Sequence, residues 1–318
     1  MDTVRGLHSA LPHLDNPVVT LGAFDGVHRG HQAILAATTQ WAAEIGSPSV
    51  VITFDPLPKS VVGRGGALCI TSLPHRLLLL DRCGLDLTVV LPFDQQLAAM
   101  QPGDFVHTVL ERWLGTSRIV LGRNSTFGHK GRGDLAFLTN LQQRGSLEVR
   151  SPQPVLHQGR LISSTAIRAA IAQGTLDHVA AMLGRPFSLY GTVVPGSARG
   201  RELGFPTANL DLEHEAFPPD GVYATIACVA TTPHPALTYI GKRPTFESPD
   251  ALPVVEVHLI DHQADLYGQH LEVHFLKKLR GDQHFASRQA LIAQMNADRE
   301  AARQTVAAAP RPCHTLPS

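Results

Sequence analysis

The sequence feature that most constrains this chain is residues 21–31, which read Leu-Gly-Ala-Phe-Asp-Gly-Val-His-Arg-Gly-His. The apolar run at 18–21 predicts a short buried strand, and the apolar periodicity of residues 32–45 predicts a helix. Glycines let a backbone pass close to a phosphate, and the N-terminus of a helix attracts anions. His28 and His31 add hydrogen-bond donors whose charge can change near pH 7. The stretch therefore predicts a triphosphate site, although a tight turn with histidines capping a helix has the same pattern.

The composition excludes several classes of protein. At 318 residues the chain has room for about two domains. Lys plus Arg and Asp plus Glu number 27 each, so there is no general basic field to bind nucleic acid or a membrane surface. The four cysteines form no Cys-x-x-Cys pair, which argues against a zinc site or disulfide framework and for a reducing compartment. Residues 1–17 lack the apolar core of a signal peptide and no segment approaches a membrane span, so the expected location is the cytoplasm.

The first half of the chain alternates between strand and helix patterns. The predicted strands are 18–21, 49–54, 87–91 and 118–122, and the predicted helices are 32–45, 75–83 and 103–114. This alternation predicts a doubly wound α/β sheet, whose ligands bind at the carboxyl ends of the strands. Three loops are expected there together, at residues 22–31, 55–58 and 121–130.

The second half has a different texture, with short apolar or alternating runs separated by Gly, Pro and Asp. The predicted strands are 187–194, 221–230, 238–240, 254–260 and 271–276. Strands at this close spacing predict a small closed antiparallel barrel. The sequence therefore predicts domains at 1–186 and 187–306, with a closing helix over 287–303. The tail 307–318, rich in Ala and Pro, is expected to be disordered.

Residues 191–209 are the centre of the second half. Gly196, Gly200 and Gly204 can form a mobile flap whose N–H groups reach a phosphate chain. The hydroxyl of Thr207 and the amide oxygen of Asn209 are hard ligands of the kind that Mg²⁺ prefers. A hairpin loop with ordinary glycines is the alternative interpretation.

Two further strings stand out. Residues 161–168, Leu-Ile-Ser-Ser-Thr-Ala-Ile-Arg, predict the start of a helix. By itself, this pattern does not indicate a binding site. The run 254–260 alternates so that Glu256 and His258 share one face while the valines face the core. A strand with a solvated polar face would have the same pattern.

Taken in order, these strings resemble those of the bacterial bifunctional riboflavin kinase/FAD synthetase family, over roughly residues 17–303. The His-x-Gly-His pair at 28–31 is similar to the signature of nucleotidyltransferases that attack the α-phosphate of ATP or CTP. Residues 200–209, Gly-Arg-Glu-Leu-Gly-Phe-Pro-Thr-Ala-Asn, resemble the riboflavin kinase signature without a gap. Shorter family-like strings stand at 241–246, 265–268 and 278–280.

The resemblance implies an α/β fold, with a Rossmann-like nucleotidyltransferase domain followed by a small antiparallel riboflavin kinase barrel. The barrel would convert riboflavin and ATP to FMN and ADP, and the first domain would join FMN to AMP from ATP, giving FAD and pyrophosphate. Both reactions would need Mg²⁺. The expected partners are riboflavin, FMN and ATP, with no nucleic acid and no membrane, and the chain would be a monomer or a transient homo-oligomer.

The resemblance also implies roles for individual residues. His28 and His31 would stabilise the α-phosphate, Glu256 would accept the proton of the ribityl hydroxyl, and Thr207 and Asn209 would hold Mg²⁺·ATP. The residues expected to bind nucleotide are Gly22, Phe24, Asp25, Gly30, Asn124, Ser164, Thr165, Arg168, Gly196, Gly200 and Gly204. Those expected to bind flavin are Phe54, Phe127 and Arg280.

Two positions depart from the family pattern. Leu57 stands where the family commonly has a histidine, and Ser125 where it has a second aromatic residue. Two alternatives therefore stay open. One is a riboflavin kinase whose adenylyltransferase half is impaired, and the other is a non-catalytic flavin or nucleotide sensor. The intact His28 and His31 oppose the first alternative, and Glu256 opposes the second because a sensor needs no general base.

Overall fold

The structure is a computed structural model that describes residues 1–62, 68–196, 199–213, 215–241, 253–262 and 265–309. Within these ranges no helix is both long enough and apolar enough to cross a membrane. The chain divides into two compact units. The first comprises Met1–Ala67 and Arg76–Ser163, and the second comprises Leu68–His75 and Ser164–Ser318.

Six strands of the first unit form one sheet. They are β1 (Asp2–Arg5), β2 (Val18–Leu21), β3 (Ser49–Asp55), β4 (Leu87–Pro92), β5 (Arg118–Val120) and β6 (Glu148–Arg150). Their order in the sheet is β1-β4-β3-β2-β5-β6, and each pairing is parallel. From β2 the chain adds β3 and then β4 on one side, and it then returns to add β5 on the other side of β2. The carboxyl end of β2 therefore lies where the strand order reverses. Open α/β sheets bind their ligands at this point.

Helices connect these strands. They are α1 (Arg29–Ile45), α2 (Pro58–Val62), α3 (Leu73–Asp81), α4 (Gln95–Ala99), α5 (Pro102–Phe105) and α6 (Leu135–Gln143). A π-helix, Val106–Trp113, follows α5 directly, where the sequence predicts one α-helix over residues 103–114. A small hairpin of β7 (Leu156–His157) and β8 (Arg160–Leu161) ends the unit. The division between the two units falls within α3, between His75 and Arg76.

Both faces of the sheet are covered at its centre, which is why the central strands β2, β3 and β4 are buried along almost their whole length rather than at alternate positions. On one face Val50 and Ile52 of β3 pack in the same core cluster as Val109 of the π-helix. On the other face Val51 packs with Leu35 of α1. This is the doubly wound α/β arrangement that the sequence predicts.

The second unit contains a closed barrel. Its strands are β9 (Phe187–Val194), β10 (Ala208–Asp211), β11 (Gly221–Val229), β12 (Thr232–Gly241), β13 (Val254–Leu259) and β14 (His270–Arg280). They close in the order β10-β13-β12-β11-β14-β9 with antiparallel pairing throughout. The predicted barrel is therefore confirmed. The sequence did not predict β10, because its four residues are too few to show alternation, and only pairing with β9 and β13 defines it.

Four helices accompany the barrel strands in the described part of this unit. They are α7 (Ser164–Gln173), α8 (Leu176–Leu183), α9 (Arg199–Glu202) and α10 (Arg288–Ala308). The boundary predicted near residue 186 immediately precedes β9, and α7 and α8 belong to the same unit as the barrel. The closing helix continues to Ala308, beyond the predicted end at 303. The predicted disordered tail lies, from residue 310 onward, outside the described residues.

A network of ionisable side chains is buried within the second unit. His75 and Glu215 are fully buried, and His75 Nδ1 lies 2.9 Å from Glu215 Oε1. The other ring nitrogen of His75 lies 3.4 Å from Oε1 of Glu272, which is 3 % exposed. Burial opposes the charged form of His75, but the two carboxylates, Glu215 above all, outweigh it and raise the pKa of His75 above its usual 6.5. Burial likewise opposes the charged form of Glu272, yet His274 and His75 hold the pKa of Glu272 well below 4.5.

The network makes the stability of the barrel depend on pH. Because the pKa of His75 is raised on folding, its contribution is complete below about pH 6.5 and is lost as pH rises through the folded pKa. Because the pKa of Glu272 is lowered, its contribution is present above about pH 4.5 and is lost as pH falls. We expect His75→Leu, which removes the charged partner shared by two buried carboxylates, to destabilise the barrel by about 3 kcal/mol at about pH 6.

Hydrogen exchange of β9 and β14, followed by mass spectrometry and corrected for the intrinsic rate, measures this effect. Protection in the parent protein should fall as pH rises above about 6.5 and through the folded pKa of His75, and the difference between parent and His75→Leu should shrink over the same interval. His178→Leu, at an exposed position on α8, is the matched control. A constant difference between parent and His75→Leu over this interval would contradict the assignment.

Candidate functional site

The loop between β2 and α1, residues 22–28, is held in a strained conformation. Gly22 N donates to Ile52 O at 3.0 Å, and Val27 N donates to Phe24 O at 3.0 Å. Phe24 and Val27 have φ angles of +48° and +39°, in the left-handed region that favours glycine. Such conformations persist only where the surroundings hold them, and they cluster at functional sites. The local geometry thus marks this loop as a candidate site.

His28 and His31 lie side by side at the N-terminus of α1. His28 is the N-cap, and its Nδ1 accepts a hydrogen bond from the backbone N–H of His31 at 3.2 Å. A neutral His28 therefore carries its proton on Nε2. The two rings are stacked, with centroids 3.5 Å apart and planes 16° apart. A Cβ at Gly30 would lie 3.1 Å from His28 Nδ1, so glycine keeps room for the stack.

The pKa of His31 is lowered well below 6.5, first by burial and then by the neighbouring His28 and Arg76. Its ring also meets the edge of Phe24, with centroids 5.2 Å apart. No group among the described residues hydrogen-bonds to Nδ1 of His31. Asp25, in the same loop, is buried at 3 % exposure. The site thus holds a neutral His31 at pH 7, at a helix end whose dipole favours an anion.

Arg76 on α3 is a residue of this site that the sequence did not reveal. Its side chain is 1 % exposed. Nη1 donates to the carbonyl of Ala23 at 3.0 Å, and Nη2 donates to the carbonyl of Phe54 at 2.8 Å. Arginine in an amphipathic helical pattern ordinarily indicates a solvent-exposed face, so no signal in the sequence pointed to its buried position.

The other two predicted loops of the first unit, at residues 55–58 and 121–130, contain or adjoin further candidate residues. Asn124 is exposed, and Ser125 closes a turn by donating its N–H to Gly122 O at 2.9 Å. Leu57 is partly buried just before α2. Phe127 is 6 % exposed and packs in the same core cluster as Phe54, which is 7 % exposed. Both rings therefore support the core, and their role in flavin binding stays a prediction.

The residues of the Ile-Ser-Ser-Thr-x-Ile-Arg string lie on α7. Ser164 begins the helix, Thr165 is exposed, and Arg168 is partly buried one turn later. The same helix buries Ile167 and Ile171. These residues belong to the second unit, and their part in the nucleotide site stays a prediction.

In the second unit, residues 199–207 form the flap, which leads into β10. Leu203 N and Phe205 N both donate to Gly200 O, at 3.1 and 2.8 Å. A Cβ at Gly200 would overlap the carbonyl of Phe205, and Gly204 has a φ of +84°. Glycine is therefore required at both positions for the flap to fold back on itself.

Strand pairing brings the candidate magnesium ligands next to the candidate base. Asn209 of β10 lies directly opposite Glu256 of β13. Gly196 approaches so closely that a Cβ there would overlap the side-chain amide of Asn209. Thr207, two residues before Asn209, is partly buried. A hydroxyl, an amide oxygen and a nearby carboxylate fit Mg²⁺, which binds few protein oxygens and keeps several waters. No group of three or more His, Cys, Asp or Glu side chains among the described residues could hold a metal.

His258 is a second residue whose burial the sequence did not reveal. It lies on β13 two residues after Glu256 but is buried at 8 % exposure rather than on a solvated face. Its Nδ1 lies 2.8 Å from the carbonyl of Pro206 in the flap. Its ring meets Phe205 edge-on at 5.3 Å, and the guanidinium of Arg299 lies 5.3 Å over that same Phe205 ring. Burial lowers the pKa of His258, so the neutral ring donates from Nδ1 to Pro206.

The remaining sequence-predicted element is Arg280. Its Nε donates to Asp298 Oδ2 at 2.9 Å, and Gln294 donates to the other carboxylate oxygen at 2.8 Å. The side chain is thus tied to α10, and its contact with flavin stays a prediction. Of the family-like string at 241–246, only Gly241 lies within the described residues.

Comparison with known families identifies both halves of the chain. A family model described as FAD synthetase matches residues 11–166. A family model described as riboflavin kinase matches residues 183–306. The matched segments follow the order that the sequence predicts.

Relatives and a solved structure match nearly the whole chain. A protein of Pseudomonas fluorescens is 38 % identical, covering 96 % of this chain and 98 % of its own. One of Escherichia coli K12 is 36 % identical, covering 96 % of this chain and 97 % of its own. Both are named bifunctional riboflavin kinase/FMN adenylyltransferase.

A crystal structure from Streptococcus pneumoniae, described as a macrolide-efflux protein, is 32 % identical with a TM-score of 0.82, covering 95 % of this chain and 99 % of that one. Two family models in the predicted order and relatives above 30 % identity over almost the full length confirm the family inferred from the sequence strings. The chain belongs to the bifunctional riboflavin kinase/FMN adenylyltransferase family.

Proposed function

We propose that the two candidate sites divide the two reactions of this family between them. The chain phosphorylates riboflavin with ATP to give FMN, and it adenylylates FMN with a second ATP to give FAD and pyrophosphate. We assign the first reaction to the barrel and the second to the β2–α1 loop. The observation that carries the kinase assignment is the pairing of Glu256 with Asn209 on neighbouring strands. This pairing puts the proposed general base beside a proposed Mg²⁺ ligand.

In the kinase reaction, Glu256 accepts the proton of the ribityl 5′-hydroxyl as that oxygen attacks the γ-phosphorus of ATP. Thr207 and Asn209 hold Mg²⁺, which neutralises charge on the phosphates when it is bound. The N–H groups around Gly196, Gly200 and Gly204 line the phosphate chain. Support comes from the close approach of Gly196 to Asn209, which leaves no room for another side chain at this position.

In the adenylyl transfer, the phosphate of FMN attacks the α-phosphorus of ATP and pyrophosphate leaves. His28 donates from Nε2 to an α-phosphate oxygen, and His31 donates beside it, so both stabilise charge that grows in the transition state. The glycine-rich loop, including Gly22 and Gly30, allows the phosphates to approach the N-terminus of α1. For Ser164, Thr165 and Arg168 we propose only the phosphate-binding role that the resemblance of their string implies.

The proposal also covers the substrates, the cellular location and the oligomeric state. Riboflavin, FMN and ATP are the small-molecule partners of a chain in this family. We propose that the chain works in the cytoplasm, where ATP is available, as a monomer or a transient homo-oligomer with no nucleic acid or membrane partner. Chromatographic separation of the flavins formed from riboflavin, ATP and Mg²⁺ tests the whole proposal. FMN followed by FAD is the expected course.

We expect His28→Ala to lower the rate of FAD formation from FMN and ATP by about 10²- to 10³-fold, because one donor to the α-phosphate is lost. FMN formation from riboflavin by the same variant should stay at the parent rate, which makes the kinase an internal control for the amount of active second unit in the preparation. FAD formation at the parent rate would show that the adenylyl-transfer site is elsewhere.

We expect Glu256→Gln to lower FMN formation by about 10²- to 10⁴-fold, since an amide cannot accept the hydroxyl proton. FAD formation from supplied FMN should be unchanged. Initial rates of both reactions on one preparation provide the comparison. A variant that makes FMN as fast as the parent does would remove Glu256 from the base role.

We expect Gly196→Ala to raise the Mg²⁺ concentration needed for half-maximal FMN formation by about tenfold or more, because the added methyl displaces the Asn209 amide. Gly281→Ala is the matched control, since a Cβ at Gly281 meets nothing within 4 Å. A magnesium titration of both variants decides the matter. Equal magnesium requirements in the two variants would argue against Asn209 as a ligand.

A further inference from the structure

We propose that Arg76 is a positioning residue for adenylyl transfer, whose guanidinium fixes the β2–α1 loop to the end of β3 and thereby sets where His28 and His31 meet the α-phosphate. The inference rests on the proposed role of that histidine pair. Arg76 is assigned no contact with substrate, and it acts through the backbone.

The geometry of the guanidinium supports this role. Arg76 is buried, and its two terminal nitrogens donate to two different carbonyls, those of Ala23 and Phe54. Ala23 follows β2 by two residues, and Phe54 lies at the end of β3. A planar guanidinium holds two acceptors at a fixed separation, which the single ammonium of a lysine cannot do. Arg76 therefore sets the distance between the β2–α1 loop and the end of the neighbouring strand.

The strain of the loop makes this support necessary. The carbonyl of Ala23 directly precedes Phe24, whose backbone lies in the left-handed region. Thr53 Oγ1 donates to the same carbonyl at 3.2 Å, but it is neutral and belongs to β3 alone. Hydrogen bonds from a charged donor are about twice as strong as neutral ones. The Arg76 contacts are thus the stronger restraint on the peptide that sets the strained conformation.

A short chain of contacts leads from Arg76 to the histidines. Arg76 fixes Ala23, Ala23 is bonded to Phe24, and the ring of Phe24 meets the edge of His31. The His31 ring in turn stacks on the His28 ring, and the backbone N–H of His31 donates to Nδ1 of His28. A displacement of Ala23 therefore reaches both imidazoles. Misplacement of a catalytic group by about 1 Å can lower a rate by about 10²-fold.

Arg76 also contributes its charge. Besides burial and His28, the Arg76 guanidinium lowers the pKa of His31. The positional and electrostatic effects can be separated by substitution, because Arg76→Lys keeps the charge and loses the two-pronged geometry, whereas Arg76→Met loses both.

The experiment compares Arg76→Lys, Arg76→Met and the parent as full-length chains. The FMN-to-FAD reaction is measured at varied ATP, and riboflavin phosphorylation by the same preparations reports on the other site. Arg144→Lys, at an exposed position after α6, is the matched control. The pKa of His31 is measured by nuclear magnetic resonance of the histidine-labelled protein without substrates.

We expect Arg76→Lys to lower kcat for FAD formation by about 10²-fold, with a smaller change in KM for ATP and no change in FMN formation. The pKa of His31 should stay low in Arg76→Lys and rise in Arg76→Met, while Arg144→Lys behaves as the parent. This combination separates positioning from destabilisation of the first unit, which would move the His31 pKa in both variants.

Parent-like kcat for FAD formation in Arg76→Lys would overturn the proposal, and so would an equal loss of both activities in that variant. Either result can be told apart from failure of the proposed function. If His28→Ala is inactive in FAD formation while Arg76→Lys is fully active, only the role of Arg76 is wrong. If His28→Ala is itself fully active, the assignment of the adenylyl-transfer site is wrong.

Discussion

Both candidate sites depend on one kind of interaction, a buried side-chain donor that holds the backbone carbonyl of an irregular loop. A loop that binds phosphate cannot pair its own carbonyls as a helix or sheet does, and a buried carbonyl without a partner is costly. In the first unit the guanidinium of Arg76 holds Ala23 and Phe54. In the second unit the imidazole of His258 holds Pro206, directly before Thr207. In each candidate site, the backbone beside the groups proposed to act in the reaction is thus held by a residue to which no chemical step is assigned.

Charge is handled differently in the two units. Burial, His28 and Arg76 lower the pKa of His31 well below 6.5, so the neutral form of its ring is favoured at the N-terminus of α1. The buried network around His75 does the opposite, since two glutamates favour the charged imidazole. The difference follows from the neighbours. His31 faces another imidazole and a guanidinium, whereas His75 faces carboxylates, and burial makes each neighbour count more than it would in water.

Much of the fold was predictable from local patterns. The continuous apolar strands and intervening helices of the first half indicated a parallel sheet covered on both faces, and the closely spaced strands of the second half indicated a barrel. The residues of the candidate sites were harder to predict from the sequence. His28, Glu256 and Asn209 were singled out as candidates because they belong to long strings with a distinctive spacing. Arg76 belongs to no such string, and the string that contains His258 did not indicate that its side chain is buried. Their neighbours Ala23 and Pro206 are distant in sequence, and only folding brings each pair together.

The sequence by itself determined the class of both units, the order of the two family segments and the residue types available for chemistry, because hydrophobic period and motif spacing are local properties. Only the tertiary structure decided which groups meet. Strand β10 exists because β9 and β13 flank it, and that pairing places Asn209 opposite Glu256. The burial of Arg76 and His258 and the lowered pKa of His31 likewise depend on contacts between distant segments. No local pattern specifies such contacts, because burial and charge environment are properties of the folded chain.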